Sequence, residues 1–226
     1  MSTRMKKRAG AAVAAWRVWG FALLATLALT ACVMTGSAPR SLSALNGTLK
    51  LSAPSGFCLD AEGSRADSSQ AFAIFGTCAA ISGGAAGPAA RKPAVLTAAV
   101  RADAALNQPL DKSTATLEKF FRSAPGRAAL ARDGKAASVR VLSVRAAPGL
   151  FAMKLRDTSA STGTPVAQDY WRGVIDVRGH LVSLSVLPLR NQPVGDADQR
   201  ALLVEFAQQI LRDNKTGTTP GQSAAP

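Results

Sequence analysis

The chain has 226 residues, a mass of 23.3 kDa and a formal charge of +13, enough for one domain or a domain with a small appendage. The charge suggests a nucleic-acid partner, but residues 1–31 hold Arg4, Lys6, Lys7, Arg8 and Arg17 and no acid, which leaves the remainder at +8. Those remaining cations are scattered, with few aromatics for base stacking, so nucleic acid is not an expected partner.

Residues 1–17 are basic, and residues 18–31 form an apolar run of 14, shorter than the about 20 that span a bilayer as a helix. A positive start, a short apolar run and small residues at its end are the marks of a secretory signal. The run closes on Leu29-Thr30-Ala31-Cys32: a branched apolar residue, two small ones and a cysteine. This resembles the lipobox of bacterial lipoproteins. The resemblance implies cleavage before Cys32, a diacylglyceryl group on its thiol and an acylated amine. Two or more acyl chains anchor stably where one binds only marginally. The expected location is therefore the cell envelope, lipid-anchored and facing the periplasm. An uncleaved anchor, or an ordinary signal with a chance cysteine, is the alternative. Val33, not an aspartate, follows the cysteine. In enteric lipoproteins that pattern resembles the outer-membrane sorting class, which favours the outer over the inner membrane.

Residues 32–46 are small, polar and without period, and read as a tether holding a domain off the membrane. A single domain is expected over 47–214. Leu49 and Leu51 alternate with polar neighbours, and the apolar runs at 71–80 and 94–101 have strand length. A Gly-rich loop at 82–88 separates them. After Cys32 only Cys58 and Cys78 remain. Both lie in short strand-like segments. In an oxidising compartment such a pair tends to bridge, closing a loop worth roughly 3 kcal/mol. Two buried free thiols are the alternative, and no Cys-x-x-Cys spacing supports redox chemistry.

Residues 114–133 favour helix, with Leu117, Phe120 and Phe121 at helical spacing. Pro125-Gly126 predicts a break, and Gly134 a stop. The C-terminal half alternates as strands do. Val139 and Val141 flank Arg140, and Phe151, Met153 and Leu155 flank Lys154 and Arg156. Ala146-Ala147-Pro148-Gly149 between them reads as a turn. Trp171, Gly173, Ile175 and Val177 share one face, Arg178-Gly179 is a two-residue turn, and Val182, Leu184 and Val186 follow. Short connections make these strands antiparallel. A helix follows at 196–213, with Asp196 as N-cap, Gln199 three residues on as in a capping box, and Leu203, Phe206, Ala207 and Ile210 as its apolar stripe. Residues 215–226 read as a disordered tail. The fold class is α+β: an antiparallel sheet, with two hairpins in the C-terminal half, covered by a broken helix and a C-terminal helix. The layout is loosely like the PsbP/Mog1-type sandwich, a likeness that carries no function.

The residues offer little chemistry. The single histidine, His180, sits beside a turn, and a Ser-His-Asp triad would have to use it. No Gly-x-Ser-x-Gly elbow or phosphate loop occurs. One histidine and no clustered thiols exclude the common zinc patterns. Asp60, Glu62 and Asp67 around Ser64 are acidic without the spacing of a calcium loop. No catalytic residue, metal ligand or cofactor is expected. Arg140, Lys154, Arg156 and Arg172, with Arg178 at the turn, would form one basic face if their strands are neighbours. Such a face suits anionic lipid headgroups or acidic envelope polymers, although ordinary solubilising charge on a sheet with one wet face is the favoured reading. Tyr170 and Trp171 point to opposite faces, so one is expected in the core and the other at an edge or partner surface. The functional expectation is a lipid-anchored envelope protein of binding or scaffolding type, without catalytic activity. Its partners would be the membrane, through the lipid, and an envelope protein or anionic lipid. An accessory subunit of an envelope transport or assembly complex is the alternative, and an unrecognised envelope hydrolase is a third reading.

Overall fold

The computed structural model describes residues 38–83, 89–90, 92–159 and 164–215. The signal segment, Cys32, most of the 82–88 loop and all but Lys215 of the tail lie outside them. Alternating apolar side chains make strand the commonest element of the described chain. β1 (Ser41–Ala44) and β2 (Leu49–Ser52) form a small hairpin. β3 (Phe57–Ala66), β4 (Gln70–Thr77) and β5 (Ala94–Arg101) form one meander. β6 (Val139–Ala147), β7 (Leu150–Asp157), β8 (Asp169–Val177) and β9 (His180–Pro188) form a second. β9 pairs with β5, so the two meanders merge into one antiparallel sheet of order β3-β4-β5-β9-β8-β7-β6. The α+β class and both C-terminal hairpins are as predicted. The sheet is larger, because the N-terminal strands join it.

The helices are α1 (Cys78–Ile81), α2 (Leu110–Arg122), α3 (Ala124–Leu130) and α4 (Asp196–Asp213). The predicted break falls at Ser123, whose extended backbone ends α2 and whose Oγ accepts from Gly126 N to start α3. Pro125 sits in the first turn of α3, where its missing N–H leaves no bond unmade. α2 begins earlier than read, because Leu110 adds one more apolar contact to its buried stripe of Leu110 and Leu117.

Three other readings are corrected. β1 lies inside the stretch taken as tether: Leu42 and Ala44 alternate among small polar residues and pair with β2. Cys78 opens α1 rather than lying on a strand, because Thr77 caps the helix through its Oγ. Gly195, not Asp196, is the N-cap of α4, and Gln199 forms no capping box; its Nε2 donates to Val194 O instead.

Each face of the sheet has its own cover. On the first face Leu96, Ala98, Ile175, Val182, Leu184 and Val186 lie under α4 and the β1–β2 hairpin. Leu203, Phe206 and Ile210 of α4 are fully buried there, each contributing about 1.5–3 kcal/mol. On the second face Phe151, Met153, Leu155 and Tyr170 form a separate core with Leu110, Leu117 and Leu130. The helix pair α2–α3 packs chiefly over β6 and β7. Phe72, Ile74, Val95, Thr97 and Ala99 on β4 and β5 point the same way and remain half-buried. A step therefore runs along the second face, where the helical cover ends.

Candidate functional site

The register decides which predicted cations meet. Arg140 pairs with Arg156 and Lys154 with Trp171, so Arg140, Lys154 and Arg156 share the first face. Arg172 pairs with Met153 and Ser185 and lies on the second. Two of the three that do meet are matched by acids. Lys154 Nζ binds Asp196 Oδ1 at 2.5 Å. Arg156 forms a two-bond fork with Asp169 at 2.6 and 2.7 Å, which holds the Asp169 carboxyl below its ordinary range. Arg178 reaches back to Thr48 O at 3.0 Å from its turn. The five cations therefore form no single positive face.

Cys58 and Cys78 are joined by a disulfide that ties β3 to the start of α1. His180 is the half-buried first residue of β9, opposite Val177. The Asp60 carboxylate accepts from Glu62 N and Gly63 N, and Asp67 accepts from Ser69 and Gln70. These acids thus close their own turns instead of converging. Among the described residues no group of three or more His, Cys, Asp or Glu is placed to hold a metal ion. Tyr170 and Trp171 do point to opposite faces, and both are buried. The expected exposed partner is absent because each face has its own core at that point.

The step on the second face holds a feature that sequence reasoning missed. It is an open groove of about 240 Å³ between α2–α3 and strands β5, β8 and β9. Leu117, Phe121 and Leu130 form the helical wall, and Ala99, Val174 and Leu181 the floor. Leu181 N donates to Ala104 O at 2.8 Å and holds the chain after β5 against the far side. Two cations line it. Arg101, at the rim, is forked to Asp103 at 3.0 Å through Nε and Nη2. Arg172, half-buried, donates from Nε to Ser183 Oγ at 2.9 Å and from Nη1 to Leu130 O at 3.5 Å, and also meets the Tyr170 phenol. All three acceptors are neutral. No ion pair forms between Arg172 and any acid among the described residues.

Behind the groove lies a second polar group. Asp157, at the end of β7, is fully buried. Its Oδ1 accepts from Ser159 N at 2.9 Å and from Ser159 Oγ. Its Oδ2 makes no hydrogen bond and lies 3.8 Å from Arg132 Nε. Arg132 also covers the Tyr170 ring at 5.7 Å. Burial pushes the Tyr170 phenol above its ordinary pKa, with Asp157 adding to the rise, while Arg172 and Arg132 pull against it. Tyr170 therefore stays protonated in the neutral range and stands as a neutral spacer between the Arg132–Asp157 pair and Arg172.

No signal in the sequence marks the groove, because it arises where helices from one segment stop short of strands from two others. Among the described residues no helix is long and apolar enough to cross a membrane. No family model, no curated protein and no solved structure matches the chain.

Proposed function

We propose that this chain is a lipid-anchored, non-catalytic binding protein of the bacterial cell envelope, facing the periplasm and holding its ligand in the groove between α2–α3 and the sheet. The observation that carries the binding half is the groove lining: apolar walls around one half-buried guanidinium and one serine hydroxyl. Small-molecule sites are mostly apolar, with a few placed polar groups, and this lining offers a reacting molecule no carboxylate, imidazole or thiol as base. Support for the anchor comes from the lipobox-like Leu29-Thr30-Ala31-Cys32 and from a disulfide suited to an oxidising compartment. The loose PsbP/Mog1 likeness of layout contributes nothing here.

Mass spectrometry of the intact protein from membrane fractions tests the anchor. The expected species begins at Cys32 and carries acyl chains, and Cys32→Ser abolishes that species. An unmodified N-terminus, or cleavage elsewhere, refutes the anchor and leaves the groove to its own test.

The accessory-subunit reading is favoured by a different observation. Phe120 on α2 and Leu142 on β6 are 45% and 40% exposed, and α2 packs on β6. Exposed large apolar groups suit a protein partner. Crosslinking from these two positions in intact cells separates the readings: one recurrent envelope partner supports the subunit role, and its absence supports the binding role.

A further inference from the structure

We infer that the groove takes a single-chain anionic amphiphile, its carboxylate on Arg172 and its alkyl or aryl chain along Ala99, Val174 and Leu181. This rests on the groove being a binding site, as proposed above.

The argument starts from charge. A guanidinium partly withdrawn from water gains from a carboxylate partner, yet the half-buried Arg172 meets, among the described residues, the Ser183 hydroxyl, the Leu130 carbonyl and the Tyr170 phenol and no acid. The other charges nearby are already matched: Arg101 by Asp103 and Arg122 by Glu118. Asp157 has Arg132 at 3.8 Å. Arg172 is thus the one cation of the lining without a carboxylate partner among the described residues. The planar guanidinium fork matches a carboxylate in shape as well as in charge.

The walls define the rest of the ligand. Apart from Arg101, Arg172 and Ser183, every lining residue is apolar, so the remainder of the molecule must be apolar too. The volume of about 240 Å³ lies below the range of roughly 300–1,000 Å³ typical of drug-sized ligands. That admits one short chain and excludes a two-chain lipid. Of the two lining cations, Arg101 at the β5 rim is already held by Asp103, so the unmatched charge sits on β8. Arg172 on β8 lies at the α3 end, while Ala99 on β5 and Leu181 on β9 continue the floor away from it. A head at Arg172 leaves the tail on the apolar floor.

The test is calorimetric titration of the intact lipidated protein in lipid nanodiscs, with empty nanodiscs subtracted, using octanoate, octanol and octylammonium. Octanoate is expected to bind at least about tenfold tighter than octanol, the scale of one charge-assisted hydrogen bond, and octylammonium weakest. Arg172→Met, which keeps an apolar stem, is expected to bring octanoate down to octanol. Arg172→Lys, which keeps the charge, retains the preference for octanoate. Ala99→Phe, which fills the floor, weakens both ligands. Equal binding of octanoate and octanol, or octanoate binding unchanged in both Arg172 variants, overturns the anionic head and leaves the groove as a site. Absence of binding by all three probes, or binding that Ala99→Phe does not alter, overturns the groove reading and the ligand class together.

Discussion

Asn214, the residue that ends α4, pairs with the backbone of Lys50 on β2 as a strand residue would. Lys50 N donates to Asn214 Oδ1 at 2.8 Å, and Asn214 Nδ2 donates to Lys50 O at 2.7 Å. The same Nδ2 also reaches Ile210 O at 2.8 Å. One buried amide thus closes the C-terminal end of the helix and fastens the β1–β2 hairpin to it across 164 positions of sequence. Asn214→Ala leaves these backbone groups without their partner. It is expected to lower unfolding free energy by about 1–3 kcal/mol, measured by urea denaturation. Unchanged stability would mean that the hairpin is held by its apolar contacts alone.

Asp196 links α4 to the sheet. It accepts from Trp171 Nε1 at 3.0 Å and pairs with Lys154, and the Lys154 bond, then the Trp171 bond, hold its carboxyl below the ordinary range. Asp169 is lowered in the same way by Arg156. A carboxyl depressed in the folded state contributes stability above its unfolded pKa, about 3.9. That contribution is lost as pH falls through the folded value. Stability is therefore expected to fall as pH drops below about 4. Asp196→Asn and Asp169→Asn should each reduce the dependence, and denaturant midpoints between pH 6 and pH 2 read it out. A wild-type slope persisting in the double variant would place the acid sensitivity elsewhere.

The Cys58–Cys78 bridge closes a loop across a sequence separation of 20. Removing it with paired serines frees the denatured chain and is expected to cost roughly 3 kcal/mol. The loss should appear in thermal melts of the oxidised protein and be reproduced by reductant. Indifference to both treatments would show that the strand pairing of β3 with β4 suffices at this edge.

Gly126 is required by the sharp junction of α2 with α3. A Cβ there would lie 1.9 Å from Phe120 O and 2.7 Å from Phe121 Cα, and both are backbone atoms of the preceding helix. Gly126→Ala is therefore expected to force the helices apart and cost more than about 2 kcal/mol. Loss of the groove wall formed by Phe121 and Leu130 should accompany it. A fully stable Gly126→Ala protein with unchanged octanoate binding would contradict the junction geometry.

The legible parts of this fold were those governed by neighbours in sequence. Alternation at 139–155 and 171–186 marked the hairpins, because side chains of a strand alternate between faces whatever the strand packs against. Arg178-Gly179 marked a tight turn, and both residues do take positive φ, 55° and 85°, as a two-residue hairpin turn requires. Pro125 and Gly126 marked the helix break. Less was legible at 41–44, where only Leu42 and Ala44 carry the signal, and at 196–199, where a capping pattern was present but Asp196 had a stronger partner in Lys154.

The sequence by itself determined the strand pattern, the two turns, the broken helix, the amphipathic last helix and the two cysteines free to pair. Only the tertiary structure decided which cations share a face. The register of β7 against β8, which pairs Arg172 with Met153 and Lys154 with Trp171, sets Arg172 on the face opposite to Lys154 and Arg156. Only the tertiary structure made the groove, because its walls come from α2, α3, β5, β8 and β9. Periodicity reports what one segment buries. It carries no information about where the cover supplied by another segment ends, and that edge is where Arg172 meets an apolar floor.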